Sequence, residues 1–199
     1  MLQIIGRSSS INVRKVLWAC VEIGLDFDRR DADADHSNLH PGGLVPVLID
    51  GDFVLWESNA ICRYLARSHQ RFDLAPAEPR AQADVERWMD WQTTELNNAW
   101  RYAFMALVRK HPAYTDEALI AQSVASWNNH IALLDRQLQS TGAFVTGASF
   151  TLADIVLGLA VQRWLMTPIE RPVFGALTQF HGRLLERPGF CTWGANGVP

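Results

Sequence analysis

The pattern of apolar positions changes in character near residue 75. Before that point, three short apolar runs have the length of strands: 2–5, 45–49 and 53–55; the charged segment 27–31 is the candidate for the second strand. Asp50-Gly51-Asp52, between the last two runs, is a strong hairpin signal. Helical spacing predicts helices at 12–23, which Gly24 ends, and at 58–68. The order βαβ, hairpin, helix predicts a parallel strand pair extended by antiparallel strands.

After a proline-containing linker at 68–79, every extended pattern is helical. Helices are predicted at 80–110, from near Thr115, and at 172–187, where Pro188-Gly189 would end the last one. A strand of four or more residues beyond position 85 would contradict this division.

Thr151 and Asp154 match a capping box, with Thr151 as the cap and Asp154 reaching back to it. This motif predicts the start of a further helix. The chain is thus predicted to contain a mixed α/β domain at 1–75 and an all-helical domain at 80–199.

Composition and charge exclude several classes of function. Hydrophobic residues make up 48% of the chain and charged residues 20%, as in a globular protein with a packed core. The net charge of −3 gives no reason to expect nucleic acid or a membrane as partner. The three cysteines lie far apart, which favours a reducing cytoplasm over disulfides. The six histidines lack metal-ligand spacing, so no metal is expected.

The serine-rich segment at the end of the first predicted strand is the first candidate for chemistry. Ser9, Ser10 and Asn12 lie where this strand gives way to a helix. A hydroxyl or amide at a helix N-terminus can stabilise an anion together with the free backbone N–H groups. The simpler alternative is that one of these residues only caps the helix.

Two further motifs lie at predicted element boundaries. Pro46 stands at a strand start, where a cis bond would expose the backbone of Val45 to a ligand; a trans proline at a sheet edge is the alternative. Ser58 begins a helix whose N–H groups could hold a carboxylate, with Glu57 placed to hold an ammonium group. Ser58 could equally be a simple cap.

Taken in order, these motifs resemble the cytosolic glutathione transferases, particularly bacterial members of the serine-type theta, delta and zeta classes. They are Ser10-x-x-x-Arg14-x-Val16, Val45-Pro46 and Glu57-Ser58-x-Ala60-Ile61. The resemblance continues through 88–92 and 150–155 and covers nearly the whole chain. It implies a thioredoxin-like N-terminal domain that binds glutathione, followed by an all-helical domain that shapes the electrophile site.

The resemblance also implies roles for particular residues. Ser10 would stabilise the glutathione thiolate; the competing candidates are Ser9, one residue earlier, and Asn12, if the turn is displaced. Val45, positioned by a cis Pro46, would pair through its backbone with the cysteinyl part. Glu57 and Ser58 would bind the γ-glutamyl amine and carboxylate.

Other implied features concern the second substrate and the assembly. Trp100 and Arg101 would lie near the second-substrate pocket, which would take a small hydrophobic electrophile. Glutathione would be the co-substrate, without a metal, in a cytoplasmic homodimer that serves detoxification; glutathione-dependent peroxidase or isomerase chemistry is also compatible.

One departure from the family pattern supports an alternative. The segment 32–44 is shorter than the helix and loop that family members place there, and His40 and Asn38 are the only obvious polar replacements for contacts to the glycine carboxylate. The alternative is a non-catalytic dimeric interaction module with a weakened glutathione site. A thiol-disulfide oxidoreductase is disfavoured, because Ser10 to Val13 occupy the position of a redox Cys-x-x-Cys.

Overall fold

The computed structural model describes residues 1–32 and 38–199. A four-stranded sheet comes first, formed by β1 (Leu2–Ile5), β2 (Phe27–Arg30), β3 (Val47–Asp50) and β4 (Phe53–Trp56). The spatial order is β2-β1-β3-β4. β1 pairs in parallel with β2, while the β1–β3 and β3–β4 pairs are antiparallel. The predicted combination of a parallel pair and a hairpin is confirmed.

Two helices accompany the sheet. α1 (Ile11–Ile23) connects β1 to β2, and α2 (Ser58–Ser68) follows β4 and packs against α1. Gly24 ends α1 in the left-handed conformation, at φ 84°, which glycine adopts without steric cost. β3 begins at Val47 rather than at the predicted residue 45, because the nitrogen of Pro46 carries no hydrogen for the ladder.

The rest of the chain is helical. The helices are α3 (Pro79–Trp91), α4 (Asn97–Leu107), α5 (Glu117–Thr141), α6 (Leu152–Met166), α7 (Gly175–Leu185) and α8 (Pro188–Trp193). A π-helical turn, Gln92–Leu96, joins α3 to α4 without a break. The single helix predicted at 80–110 is therefore two α-helical segments connected by this turn. Beyond position 85 the described chain contains no strand, only an isolated bridge between Phe144 and Gly147.

One predicted helix end is wrong. Pro188-Gly189 does not close the last helix, since α7 already ends at Leu185 and Pro188 is the first residue of α8. Proline is tolerated in the first turn because the backbone N–H it lacks would have no partner there.

The predicted capping box at α6 is confirmed. Asp154 is fully buried, and its carboxylate accepts hydrogen bonds from the backbone N–H groups of Thr151 at 2.7 Å and Val145 at 2.8 Å. Burial raises the pKa of Asp154 to about 6, although these hydrogen bonds favour the charged form. The site ties the loop before α6 to the helix start, a structural role.

A buried tryptophan lies between the sheet region and the helical region. Trp18 of α1 is fully buried, and its ring packs against Phe150 and Phe190 at centroid distances of 5.8 and 5.0 Å. Its indole N–H donates to Glu22, which also binds Arg187 of the segment before α8. The hydrophobic core is therefore continuous across both regions. None of the described helices is long and apolar enough to cross a membrane.

Candidate active site

Ser10 lies directly before the first turn of α1, at φ −79° and ψ 124°. This is the N-cap position, but within the described structure the side chain makes no capping hydrogen bond. The hydroxyl is half-buried, and the first backbone N–H groups of α1 lie beside it. Asn12, the alternative candidate, is also half-buried in the first turn. Both remain able to donate a hydrogen bond to an anion.

Gly6 brings the Val45 segment next to the start of α1. It follows β1 at φ 145°, and a Cβ at this position would lie 2.5 Å from Cγ2 of Val13 and 3.0 Å from Cβ of Val45. No real Cβ tolerates the first of these distances. Only glycine therefore allows the end of β1, the first turn of α1 and Val45 to meet.

The Val45–Pro46 peptide bond is cis, as predicted. Pro46 is buried, and Val45 is half-buried and precedes the first residue of β3. The Val45 backbone therefore lies outside the sheet ladder and makes no hydrogen bond to another residue of the described chain. It is placed to pair with an extended ligand.

Glu57 adopts a backbone conformation that is rare for a residue with a side chain, at φ 71° and ψ 107°. It precedes α2, is exposed, and makes no capping bond in the described structure. Strained backbone of this kind costs about 1–3 kcal/mol and concentrates at functional sites. Glu57 is thus exposed directly beside the N–H groups at the start of α2 that have no partner within the helix.

The side chain of Ser58 accepts a hydrogen bond from a buried lysine that the sequence analysis did not identify. The ammonium group of Lys15 donates to Oγ of Ser58 at 3.2 Å and to Oδ1 of Asn59 at 2.7 Å. Because the Ser58 oxygen accepts this bond, its own hydrogen remains to donate to a ligand. Asn59 in turn donates to the carbonyl of Met89 and the hydroxyl of Thr93, each at 3.0 Å.

Burial controls the charge of Lys15. The residue is 3% exposed, and burial lowers the pKa of its ammonium group to about 8, despite the favourable field of Glu57. A signal for it was present in the sequence, since only Lys15 and Lys110 among the 18 basic residues are lysines. Lys15 lies opposite the predicted apolar face of α1, and it is buried because every residue from Val13 to Cys20 is enclosed.

His40 is buried beside the sheet edge. Its Nδ1 accepts the backbone N–H of Gly42 at 2.9 Å, and its ring packs against Trp56 with a centroid distance of 5.0 Å. The neutral ring therefore carries its hydrogen on Nε2, which has no partner in the described residues. Asn38 is exposed, and residues 33–37 of the short segment lie outside the described residues.

Similarity to known proteins agrees with this geometry. The family model "Glutathione S-transferase, N-terminal domain" matches residues 6–67. Glutathione S-transferase GstB of Escherichia coli K12 is 35% identical over 94% of this chain and 95% of its own length.

The chain belongs to the glutathione S-transferase family.

Relatives from distant organisms share this membership. Human glutathione S-transferase theta-1 is 31% identical, over 79% of this chain and 62% of its own length. The crystal structure of a theta class glutathione S-transferase from Xanthomonas axonopodis pv. citri, solved with glutathione bound, superposes with a TM-score of 0.91. It is 34% identical and covers 100% of this chain and 99% of its own. The thioredoxin-like sheet followed by helices is thus the glutathione S-transferase fold.

The residues predicted for the second substrate lie on α4 of this glutathione S-transferase. Trp100 is half-buried; its ring contacts Trp127 and Phe104, and its N–H donates to Asn97 at 3.0 Å. Arg101 is exposed. Trp100 is therefore partly a core residue, as an aromatic stripe on a helix commonly is.

A second residue outside the sequence prediction lies against Trp100. Arg163 of α6 is 4% exposed, and its guanidinium group lies 4.6 Å from the Trp100 ring and 4.2 Å from the Phe104 ring. Sequence reasoning could not find it, because Arg163 is 63 positions away from Trp100 along the chain and carries no motif.

Proposed function

We propose that this protein is a glutathione transferase that activates the thiol of glutathione and adds it to an electrophile. The observation that carries the proposal is the Ser10 hydroxyl, which stands at the N-cap of α1 without a capping bond in the described structure. Val45 adjoins the same helix turn through Gly6. Family membership supports the same activity.

The required thiol activation is within reach of these groups. A free thiol has a pKa near about 8.5, and lowering it by about two units requires roughly 2.7 kcal/mol. A hydrogen bond to a charged group contributes roughly 1.5–3 kcal/mol. The Ser10 hydroxyl, aided by the end of α1, therefore suffices without a general base.

The γ-glutamyl part of glutathione is assigned to the start of α2. Its carboxylate would accept from the Ser58 hydroxyl and the first N–H groups of the helix, and the buried charge of Lys15 would add to the attraction. Its amine would lie against Glu57. Nε2 of His40 is the candidate donor for the glycine carboxylate.

Titration of the bound thiol tests the assignment. The ultraviolet thiolate absorbance of bound glutathione, followed against pH, should show a pKa at least about one unit higher in Ser10→Ala than in the parent, the equivalent of one charge-assisted bond. Asn12→Ala is the matched comparison. If Asn12→Ala shifts and Ser10→Ala does not, Asn12 has the catalytic role.

The outcome also separates the two functions considered from the sequence. If neither variant shifts the thiol pKa and the parent is not retained on immobilised glutathione, the protein is an interaction module rather than an enzyme. Retention followed by elution with free glutathione supports the transferase.

We further propose a cytoplasmic homodimer with a role in detoxification. Small domains bury a limited share of their surface, so the sheet region gains from burial against a second copy. Light scattering at micromolar concentration should give twice the mass of 22.4 kDa; the mass of a single chain would contradict the dimer.

A further inference from the structure

Arg14 lies one helical turn after Ser10 on the same face of α1. Its backbone N–H donates to the carbonyl of Ser10 at 2.9 Å. Side chains four residues apart are neighbours on a helix, and they tilt towards its N-terminus. Arg14 therefore lies in the turn of α1 next to the proposed sulfur site, and its guanidinium group reaches the segment 196–199.

Arg14 is 1% exposed, and its guanidinium group is bound by residues 196–199. Its guanidinium group donates to Oδ1 of Asn196 at 3.0 Å and to the carbonyls of Val198 at 2.6 Å and Pro199 at 3.2 Å. Its Nε is buried without a partner in the described residues.

Two more arginines share one aromatic ring close by. The guanidinium groups of Arg163 and Arg109 lie 4.2 and 5.4 Å from the centroid of the Phe104 ring. Arg163 is buried, whereas Arg109 is exposed, so the arrangement runs from the interior to the surface. Nε of Arg163 is also buried without a hydrogen-bond partner among the described residues.

None of these three guanidinium groups forms an ion pair with a side-chain carboxylate of the described chain. Eight ion pairs are formed elsewhere in it, and Arg14, Arg109 and Arg163 take part in none. Burial, together with the smaller effect of the charges of Arg14 and Arg109, lowers the pKa of Arg163 to about 9. Like charges held together with unpaired donors are stabilised by a bound anion.

We propose that Arg14, Arg109 and Arg163 form an anion-binding subsite beside the thiol, and that the electrophile bears a carboxylate. This inference rests on the proposed transferase function and deepens it. The guanidinium group of Arg163 lies against the rings of Trp100 and Phe104, and its N–H groups form no hydrogen bond with the described residues, so they can bind a planar carboxylate. An aromatic acid would fit both features.

A matched pair of electrophiles tests the subsite. In 4-chloro-3-nitrobenzoate and 4-chloro-3-nitrobenzamide the thiolate attacks the carbon that bears chlorine; a C–S bond forms, and chloride leaves with the C–Cl bonding pair. The thiol proton passes to solvent. The two compounds have nearly the same shape, and only the first is an anion. Each kcat/KM is divided by the rate constant of the uncatalysed reaction with glutathione.

The parent protein should favour the benzoate by about tenfold or more, the ratio given by one charge-assisted hydrogen bond. Arg163→Gln should lose about tenfold of this preference, and Arg109→Gln about threefold, because Arg109 is solvated. Arg80→Gln, which removes an exposed arginine without an ion pair in the described chain, is the control and should keep the preference.

Equal rates for the two electrophiles in the parent would overturn the subsite and leave the transferase function intact. A preference for the benzoate that is unchanged in both Arg163→Gln and Arg109→Gln would also overturn the subsite. If Arg163→Gln fails to fold, the preference measured in Arg109→Gln, where the substituted residue is exposed, decides the question. If neither electrophile reacts, the thiol titration described above decides the transferase function, and calorimetric titration with benzoate and benzamide decides the subsite. Benzoate binding that weakens in Arg109→Gln supports it, and absence of benzoate binding overturns it.

Discussion

At the scale of single residues, polar groups in costly positions mark the candidate site. A buried ammonium group carries a desolvation penalty, and at Lys15 this penalty is offset by hydrogen bonds to Ser58 and Asn59. The folded pKa of about 8 lies below the ordinary 10.5. Between these values the unfolded chain binds more protons, so the contribution of Lys15 to stability rises with pH there and is least favourable below pH 8.

Substitution of Lys15 should therefore affect ligand affinity more than stability. S-methylglutathione, whose sulfur cannot ionise, should bind about tenfold more weakly to Lys15→Met at pH 7, because Ser58 loses its cationic partner. In the parent the affinity should fall as pH rises through about 8, where Lys15 loses its charge. Calorimetric titration from pH 6.5 to 9.5 measures both effects. Identical pH profiles in parent and variant would contradict the role of Lys15, since the ligand's own amine titrates equally in both.

The strain at Glu57 predicts a trade of stability against binding. Glu57→Gly should raise the free energy of unfolding by about 1 kcal/mol, because glycine adopts φ 71° without steric cost. It should also weaken glutathione binding by removing the partner of the amine. Lys110→Gly, at φ 53° and exposed, is the control: it should stabilise similarly and leave affinity unchanged. Chemical denaturation and calorimetry give the two quantities, and unchanged affinity in Glu57→Gly would exclude it from the site.

At the scale of elements, the junction of β1 and α1 determines whether the site residues meet. Gly6 is enclosed by Val13 and Val45, so a side chain at position 6 would push α1 away from the segment before β3. The helix start and the backbone of Val45 would then no longer face one ligand.

Gly6→Ala should accordingly lower the free energy of unfolding by about 2 kcal/mol or more, from overpacking and the unsuitable φ of 145°. It should weaken glutathione binding in parallel. Gly182→Ala lies in the middle of α7 with no atom within 4 Å of the added Cβ; it should instead stabilise by about 1 kcal/mol. Urea denaturation compares the two, and equal effects would show that Gly6 is not sterically constrained.

The π-helical turn between α3 and α4 is another feature of this scale. Its residue Thr93 receives the hydrogen bond from Asn59, which links the helical region to the start of α2. A single extra residue in a turn barely disturbs the helical spacing of apolar positions, so the pattern predicted one regular helix at 80–110. Such turns occur frequently at functional sites.

At the scale of the whole molecule, the sheet region and the helical region share one core. The division into domains at 1–75 and 80–199 stays a prediction, but Trp18 packs against residues of both parts. Gly158 and Gly189 leave room for the Trp18 ring. A Cβ added at Gly158 would lie 3.1 Å from a Trp18 atom, and one added at Gly189 would lie 2.4 Å from another. If the sheet region or the helical region unfolded alone, the apolar surface around Trp18 would be exposed to water.

The shared core predicts a single cooperative unfolding transition. Circular dichroism, which follows all helices, and tryptophan fluorescence should give the same midpoint. Trp18→Leu should lower the free energy of unfolding by about 3 kcal/mol, through the cavity it leaves and the loss of the bond to Glu22, with the transition still single. Two separated transitions in the parent would show that the regions fold independently.

Local patterns in the sequence determined the elements and the outline of the site. The hairpin at Asp50-Gly51-Asp52, the Gly24 helix end and the capping box at Thr151 each depend on residues within a few positions of one another. Ser10, Val45-Pro46 and Glu57-Ser58 could be found for the same reason, because each marks the boundary of an element.

Only the tertiary structure decided how these pieces act together. Whether Ser10 uses its hydroxyl as a cap depends on side-chain placement, which no spacing reveals. Lys15 meets Ser58 across 43 positions, and Arg14 meets Asn196 across 182. Such contacts follow from packing of distant elements, and the energetic cost of burying Lys15 or Arg163 exists only once that packing excludes water.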